Sequence, residues 1–251
     1  MKEKGLTAFQ LKLAMALLMV FDHISVIPGL VPAGWEGVLH ALTRCVGAAF
    51  AFLAVEGFLH TRSRLSYSLR LFFWAALMQT GNYILTLLFQ EKGIYLTHNI
   101  FLTLACGVLM LGLFFGFSEN SGAAKDRKRG LQLTAAVLIL LAGLLICEGG
   151  MVLLPFMLLT YLFRNQLFFR NLAYIIWAGV LFAMSIQIYP TLQDTLSLLL
   201  YNSDWLFITV LPLIYLYNGR RGSRSIWSKY FFYVFYPAHL WLIAWLAFWV
   251  K

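Results

Sequence analysis

The chain has 251 residues, 61% of them hydrophobic and only 12% charged, and 19 Lys and Arg against 10 Asp and Glu give a net charge of +9. That composition leaves too little polar surface to cover a water-soluble globule of this size. Apolar runs of about 20 residues, the length a helix needs to cross hydrocarbon, recur from end to end and no barrel-like alternation competes with them. The expectation is an all-α, polytopic transmembrane bundle forming one integral-membrane domain over residues 1–251, multi-pass in the cell (plasma or inner) membrane.

In chain order the apolar runs predict about nine spans, at 8–27, 36–59, 66–89, 95–117, 131–147, 150–163, 171–189, 195–217 and 230–250. The first follows Lys2 and Lys4 as a signal peptide would, but no small-x-small cleavage site follows it, so it is read as a span. The fifth and sixth are short and joined by Cys147-Glu148-Gly149-Gly150, which suits a tight or partly re-entrant hairpin. The only linker-like stretch is SENSGAAKDRKRG, residues 118–130. With the N-terminus in the cytoplasm, 16 of the 19 basic residues fall at or near the inner face, Lys92 and Lys251 lie outside, and Arg44 lies within a span. The positive-inside rule selects that orientation. Topology therefore accounts for the positive charge, and no nucleic-acid partner is expected. Cys45, Cys106 and Cys147 have no paired spacing and suggest neither a disulfide framework nor a zinc site. No metal is expected.

Ionisable groups inside spans are costly and usually face a bundle interior or a wet cavity. The first span carries Lys12, Asp22 and His23, and the second returns with Arg44 at similar depth. A buried Asp22–Arg44 pair that fixes helix packing is one outcome; His23 acting as general base in a dry site is the other. Asp22 projects about 100° away from His23 around the helix, so the carboxylate orienting His23 can equally be Glu56 or Glu148. Lys12 and His23 are eleven residues apart, close to three turns, and so share a helix face roughly 16 Å apart along its axis. That span matches an extended pantetheine arm, with the lysine at the phosphates and the histidine at the thioester; a lysine there also suits simple snorkelling to the interface. Glu56 and His60 lie four apart on one face of the second span, followed by Arg62 and Arg64, which suit a nucleotide phosphate, while His60 equally suits an interfacial anchor. In the last span Pro237 interrupts the backbone ladder beside Tyr236 and His239, a place for a polar pocket or for plain aromatic packing.

The stretches LKLAMALLMVFDHI, FAFLAVEGFLHTRS, NIFLTLACGVLML, GGMVLLPFMLLTYLFR, LYNGRRG and KYFFYVFYPAHLWLI, in that order, resemble the blocks of the TraX family, whose type member acetylates the N-terminus of conjugative pilin. The family is similar in turn to the wider polytopic acyltransferases, including the acyltransferase-three family and heparan-glucosaminide acetyltransferase, many of which carry a basic residue, ten intervening residues and a histidine on the first helix. The resemblance runs from about residue 6 to 245. It implies acetyl-CoA entering from the cytosol, His23 at the transfer step, and an acceptor from the membrane or the outer side. By the same carry-over Glu56, His60, Arg62, Asn99, Asn218 with Gly219, and His239 become site candidates. The compressed CEGG loop departs from the pattern and leaves Glu148 without an assigned role.

Taken together, a membrane-embedded acetyltransferase is expected, moving acetyl from acetyl-CoA to the amine of a pilin-like peptide or to a hydroxyl of a membrane peptide or glycan. His23, Asp22, Arg44, Glu56 and His239 are its expected catalytic group, with Arg44 polarising the thioester. Lys12, His60, Arg62, Arg64, Asn99, Asn218, Arg220 and Arg221 are expected to hold coenzyme A, and the lipid bilayer is the protein's other expected partner. The rival expectation is a proton- or ion-coupled transporter using Asp22, Arg44 and Glu56 as a relay.

Overall fold

The computed structural model describes residues 4–32, 34–116, 126–223 and 225–251, with side chains from Arg129 onward in the fifth helix. Lys2, Lys125 and Arg224, the side chains of Arg127 and Lys128, and most of the expected linker 118–130 lie outside the described residues. Ten α-helices stand among them: α1 Ala8–His23, α2 Trp35–His60, α3 Arg64–Phe89, α4 Ile100–Phe115, α5 Asp126–Ile146, α6 Gly150–Leu162, α7 Leu167–Ser185, α8 Leu192–Tyr201, α9 Val210–Leu216 and α10 Ile226–Val250. No strand occurs among the described residues beyond a lone parallel bridge between Leu6 and Tyr217. The chain is an all-helical membrane protein.

Among the described residues six helices are long and apolar enough to cross a membrane, and a bent pair, Leu192–Tyr201 with Ser203–Leu216, makes up to seven. The expected nine is reached only by adding the shorter apolar helices Ile100–Phe115 and Gly150–Leu162. Two expected boundaries move. The fourth helix begins at residue 100 rather than 95 because Asn99 caps it, accepting from the Leu102 N–H, and it ends where Gly116 turns to φ +91°. The run 195–217 is not one helix: it breaks at Asn202 and bends by 58°.

The described chain divides into two compact units, the first built from Met1–Phe50, Asn82–Leu96 and Asn171–Lys251, the second from Ala51–Gly81 and Thr97–Arg170. In the first, α1 starts from a capping box in which Thr7 and Gln10 bond each other's backbone N–H groups. The segment 216–222 is strapped to that start. Leu6 N–H donates to Leu216 O at 2.7 Å, Asn218 N–H to Leu6 O at 3.0 Å, Ala8 N–H to Arg220 O at 2.9 Å and Phe9 N–H to Arg221 O at 3.3 Å. Gly222 sits at φ +83°, where a Cβ would lie 2.7 Å from Thr7 Oγ1, so a side chain there would lift the strap. Further along, α10 packs its Ile243, Ala244 and Ala247 with Ile27, Phe89 and Ile94. Trp241 Nε1 donates to the buried Asn82 Oδ1 at 3.0 Å.

In the second unit α4, α5 and α6 form a close hairpin-backed cluster. A Cβ on Gly150 would collide with the Gly143 carbonyl, so the CEGG turn admits only a bare backbone at that crossing. Three of its arginines close helix ends. Buried Arg64 donates to Phe58 O at 3.4 Å and Gly116 O at 3.0 Å, with its guanidinium 4.6 Å from the Phe58 ring centroid. Arg129 donates to the Leu113 and Phe114 carbonyls, and Arg164 to Tyr161 O at 2.9 Å. Each satisfies orphan carbonyls at a helix C-terminus and opposes the negative end of the dipole.

Candidate functional site

The buried face of α1 is made by Leu11, Met15, Ala16, Met19 and His23. At about 100° per residue, Lys12 falls inside the arc those five define and within roughly 20° of His23. Lys12 is half-buried near the start of the helix and His23 is 7% exposed at its end. The shared face expected from the spacing is therefore the packed face of the helix.

At the end of that face His23 meets His239 of α10. Their ring centroids are 5.6 Å apart with planes at 44°. His239 stacks on Phe235 at 5.1 Å and lies 5.7 Å from the fully buried Tyr236. Its Nδ1 is 3.0 Å from the Phe235 carbonyl. A carbonyl only accepts, so Nδ1 carries the proton and the neutral ring is left with Nε2 as its basic nitrogen. An aromatic stripe one turn long thus fixes both the tautomer and the plane of an imidazole beside His23.

Asp22, the neighbour of His23, turns to α2. Arg44 Nη2 lies 3.1 Å from both Asp22 oxygens, Thr43 Oγ1 donates to Asp22 Oδ1 at 2.6 Å, and His40 Nδ1 is 3.4 Å from the same oxygen. Arg44 continues from Nε to His40 O at 3.0 Å and from Nη1 to Asp204 Oδ1 at 3.2 Å. The expected Asp22–Arg44 pair is present and larger than expected, since His40, Thr43 and Asp204 join it. His40, Thr43 and Arg44 are three and four residues apart on one helix face, the spacing that could have pointed to Thr43. With Nε and both terminal nitrogens engaged, Arg44 organises this knot, which leaves it poorly placed to polarise a thioester as the sequence suggested.

The strap brings Asn218, Arg220 and Arg221 to the start of α1. Asn218 is buried, donates from Nδ2 to Gly5 O at 3.1 Å and accepts the Arg220 N–H at 2.9 Å, so its side chain holds the turn rather than an exposed ligand. The Arg220 and Arg221 side chains are exposed. The first N–H groups of α1 are spent on the carbonyls of these two arginines and on Thr7. An anion at this end would be met by the side chains of Lys12, Arg220 and Arg221 and not by the helix terminus.

The remaining candidates belong to the second unit. His60 is exposed, with Nδ1 2.9 Å from Glu56 O and 3.9 Å from Glu56 Oε2, and Arg62 is exposed. Arg64, two residues on, is the buried helix brace described above. Asn99 is buried, caps α4 and donates from Nδ2 to Ala75 O at 3.0 Å and Gln79 Oε1 at 3.3 Å, tying α3 to α4. Glu148 orients a histidine, but it is His98, at 2.9 Å from Nδ1 to Oε1, and its own carbonyl accepts from Thr103 Oγ1 at 2.7 Å. Fifty residues separate His98 from Glu148, and no sequence periodicity links them.

A protein-family model described as TraX protein matches residues 8–247 of the chain. A relative from Dichelobacter nodosus, described as a probable fimbrial assembly protein FimC of serogroup H1, is 28% identical over 246 residues, which cover 94% of this chain and 94% of that protein. No solved structure matches the chain. With the blocks around the Asp22-His23 pair, the strap and the His239 helix all inside a match of nearly full length, the chain belongs to the TraX family.

Proposed function

We propose that this protein is a membrane acetyltransferase of fimbrial or pilin assembly, taking its acetyl group from cytosolic acetyl-CoA and passing it to an amine, or to a hydroxyl, of a membrane-associated acceptor. One observation carries the proposal. A single packed face of α1 leads from Lys12, at the end where Arg220 and Arg221 are exposed, to an imidazole that meets a second imidazole of fixed tautomer. The orientation that goes with it places the start of α1 in the cytoplasm.

In this reading Lys12, Arg220 and Arg221 hold the phosphates, the lysine as a point charge and the arginines bidentately. His23 removes a proton from the acceptor N–H or O–H as that atom bonds to the acetyl carbonyl carbon. The carbon–sulfur bond then breaks, and the leaving thiolate takes a proton back from the imidazolium, returning free coenzyme A. His239, basic at Nε2, is placed to share that proton. Asp22 and Arg44 fix the end of α1 against α2, and Asn218 fixes its beginning. Arg64 and Asn99 brace helices, while Glu56, His60 and Arg62 remain candidates on the second unit.

Acetyl-CoA should raise the thermal unfolding temperature of the purified protein where adenosine does not, since a ligand that binds only the folded state stabilises it. Equal or absent effects of the two would defeat the reading. The bent pair of helices favours one second reading, an ion- or proton-coupled transporter, because broken helices commonly line transport sites. Substrate uptake into proteoliposomes that follows an imposed proton gradient and ignores acetyl-CoA would favour it.

A further inference from the structure

No spacing in the sequence pairs Cys106 with Cys147, but the fold does. Their thiols, both half-buried, hydrogen-bond to each other where α4 meets the CEGG turn. A second bond one turn away fixes the register that brings them together. Thr103 lies three residues before Cys106 on the same face of α4, and its Oγ1 donates to the carbonyl of Glu148, the residue after Cys147, at 2.7 Å. The turn itself is closed by the Cys147 N–H to Gly143 O at 3.1 Å and the Gly150 N–H to Cys147 O at 2.9 Å. Glycines stand beside both cysteines where the helices cross: a Cβ at Gly107 would lie 2.3 Å from Met157 Sδ, and one at Gly150 would lie 3.2 Å from Cys147 Cβ. Backbones drawn that close let two short side chains meet. Charge then orients this end of the unit. Arg64, Arg129 and Arg164 sit at the far ends of α4, α5 and α6, and residues 131–163 hold no Lys or Arg. The positive-inside rule turns the CEGG end outward, to the side of the membrane where disulfides form and persist.

We propose that Cys106 and Cys147 are a disulfide-forming pair, closed in the working protein by exchange with an external disulfide at the outer face. The Cys147 thiolate, in the turn, attacks one sulfur of that disulfide and expels the other as a thiolate. The Cys106 thiolate then attacks the Cys147 sulfur of the mixed disulfide and expels the second. Two electrons pass to the external disulfide, which leaves as two thiols carrying the two protons the cysteines gave up. The new bond locks the α5–α6 hairpin against α4, and with it the Glu148 carboxylate that orients His98. It closes a loop of about 40 residues, long enough for the cross-link to restrict the unfolded chain and so to stabilise the folded one. The pair shares with the acetyl-transfer reading only the orientation in the membrane, and stands or falls without it.

Counting thiols tests it, with Cys45, buried on α2 in the other unit, as the internal control. Cells making the full chain are quenched in acid, and the unfolded protein is labelled with a maleimide before any reductant is added. Of the three cysteines, only Cys45 is expected to take the label in the wild type, and all three after reduction with dithiothreitol. Cys106→Ser and Cys147→Ser should each expose one further thiol, and Cys45→Ser should leave none. Peptide mass spectrometry should find Cys106 joined to Cys147 within one chain. Reduction should lower the Tm of the purified wild type by several degrees and leave that of Cys147→Ser unchanged. Three labels on the unreduced wild type, a bond from Cys45 to either of the others, a bond between chains, or an equal fall in Tm in the serine variant each overturn the proposal. The count on the wild type decides the matter even if a variant does not fold.

Discussion

The two units use positive charge in opposite ways. In the second, Arg64, Arg129 and Arg164 turn their guanidinium groups inward onto the last carbonyls of α2, α4 and α6, so the side chains themselves finish the helices. In the first, backbone does that work. The carbonyls of Arg220 and Arg221 close the start of α1, and their side chains are left to solvent. Positive-inside composition is identical in kind for both sets, yet one set is consumed by the fold and the other is available to an anion. Whether a basic residue binds or braces is decided by which of its atoms the helix ends require.

The contrast can be broken from the second unit first. Replacing Arg64 by Met removes two hydrogen bonds from a charged donor and strands buried carbonyls, a loss of about 2–4 kcal/mol in stability. A lowered Tm, with an unchanged apparent KM for acetyl-CoA in the protein that remains folded, is the expected result; the reverse pattern would return Arg64 to the ligand. From the first unit, Lys12→Ala, or Arg221→Ala, should raise that apparent KM about tenfold, the worth of one charge-assisted hydrogen bond, at unchanged Tm. Steady-state kinetics beside a melting curve separates the two. The smallest effect is expected at the strap. Gly222→Ala should cost about 1 kcal/mol, because alanine resists the left-handed backbone and its Cβ meets Thr7. Adding Thr7→Ser, which keeps both the Oγ1 and the Cβ that the new side chain meets, should restore none of that loss, and that outcome would sharpen the assignment of the strap to α1.

Much of this architecture is written in residue type. Spans follow from apolar length, and the Asp22–Arg44 pair follows from the penalty on lone charges in lipid, a penalty indifferent to which fold relieves it. Spacing on one helix also survives folding, which is why Lys12 and His23 share a face. What sequence does not carry is the register between distant segments. His23 reaches His239 across 216 positions of chain, and Glu148 turns to His98 instead, a choice set by how α4 meets the CEGG turn. Nor does composition distinguish Arg62 from Arg64: two residues apart, one is exposed and the other is buried over Phe58. The α8–α9 break is hidden because Asn202, Ser203 and Asp204 interrupt a largely apolar run too briefly to register as a loop.

The most direct measurement is transfer itself. Purified protein in lipid nanodiscs is supplied with acetyl-CoA labelled in the acetyl group and a peptide with a free amino terminus, and the labelled product is counted for wild type and His23→Ala. The account predicts product in proportion to wild-type protein and a loss of about 100-fold or more in the variant, the scale of a missing general base, at unchanged Tm. Equal product from both proteins, or none from the wild type, would contradict it.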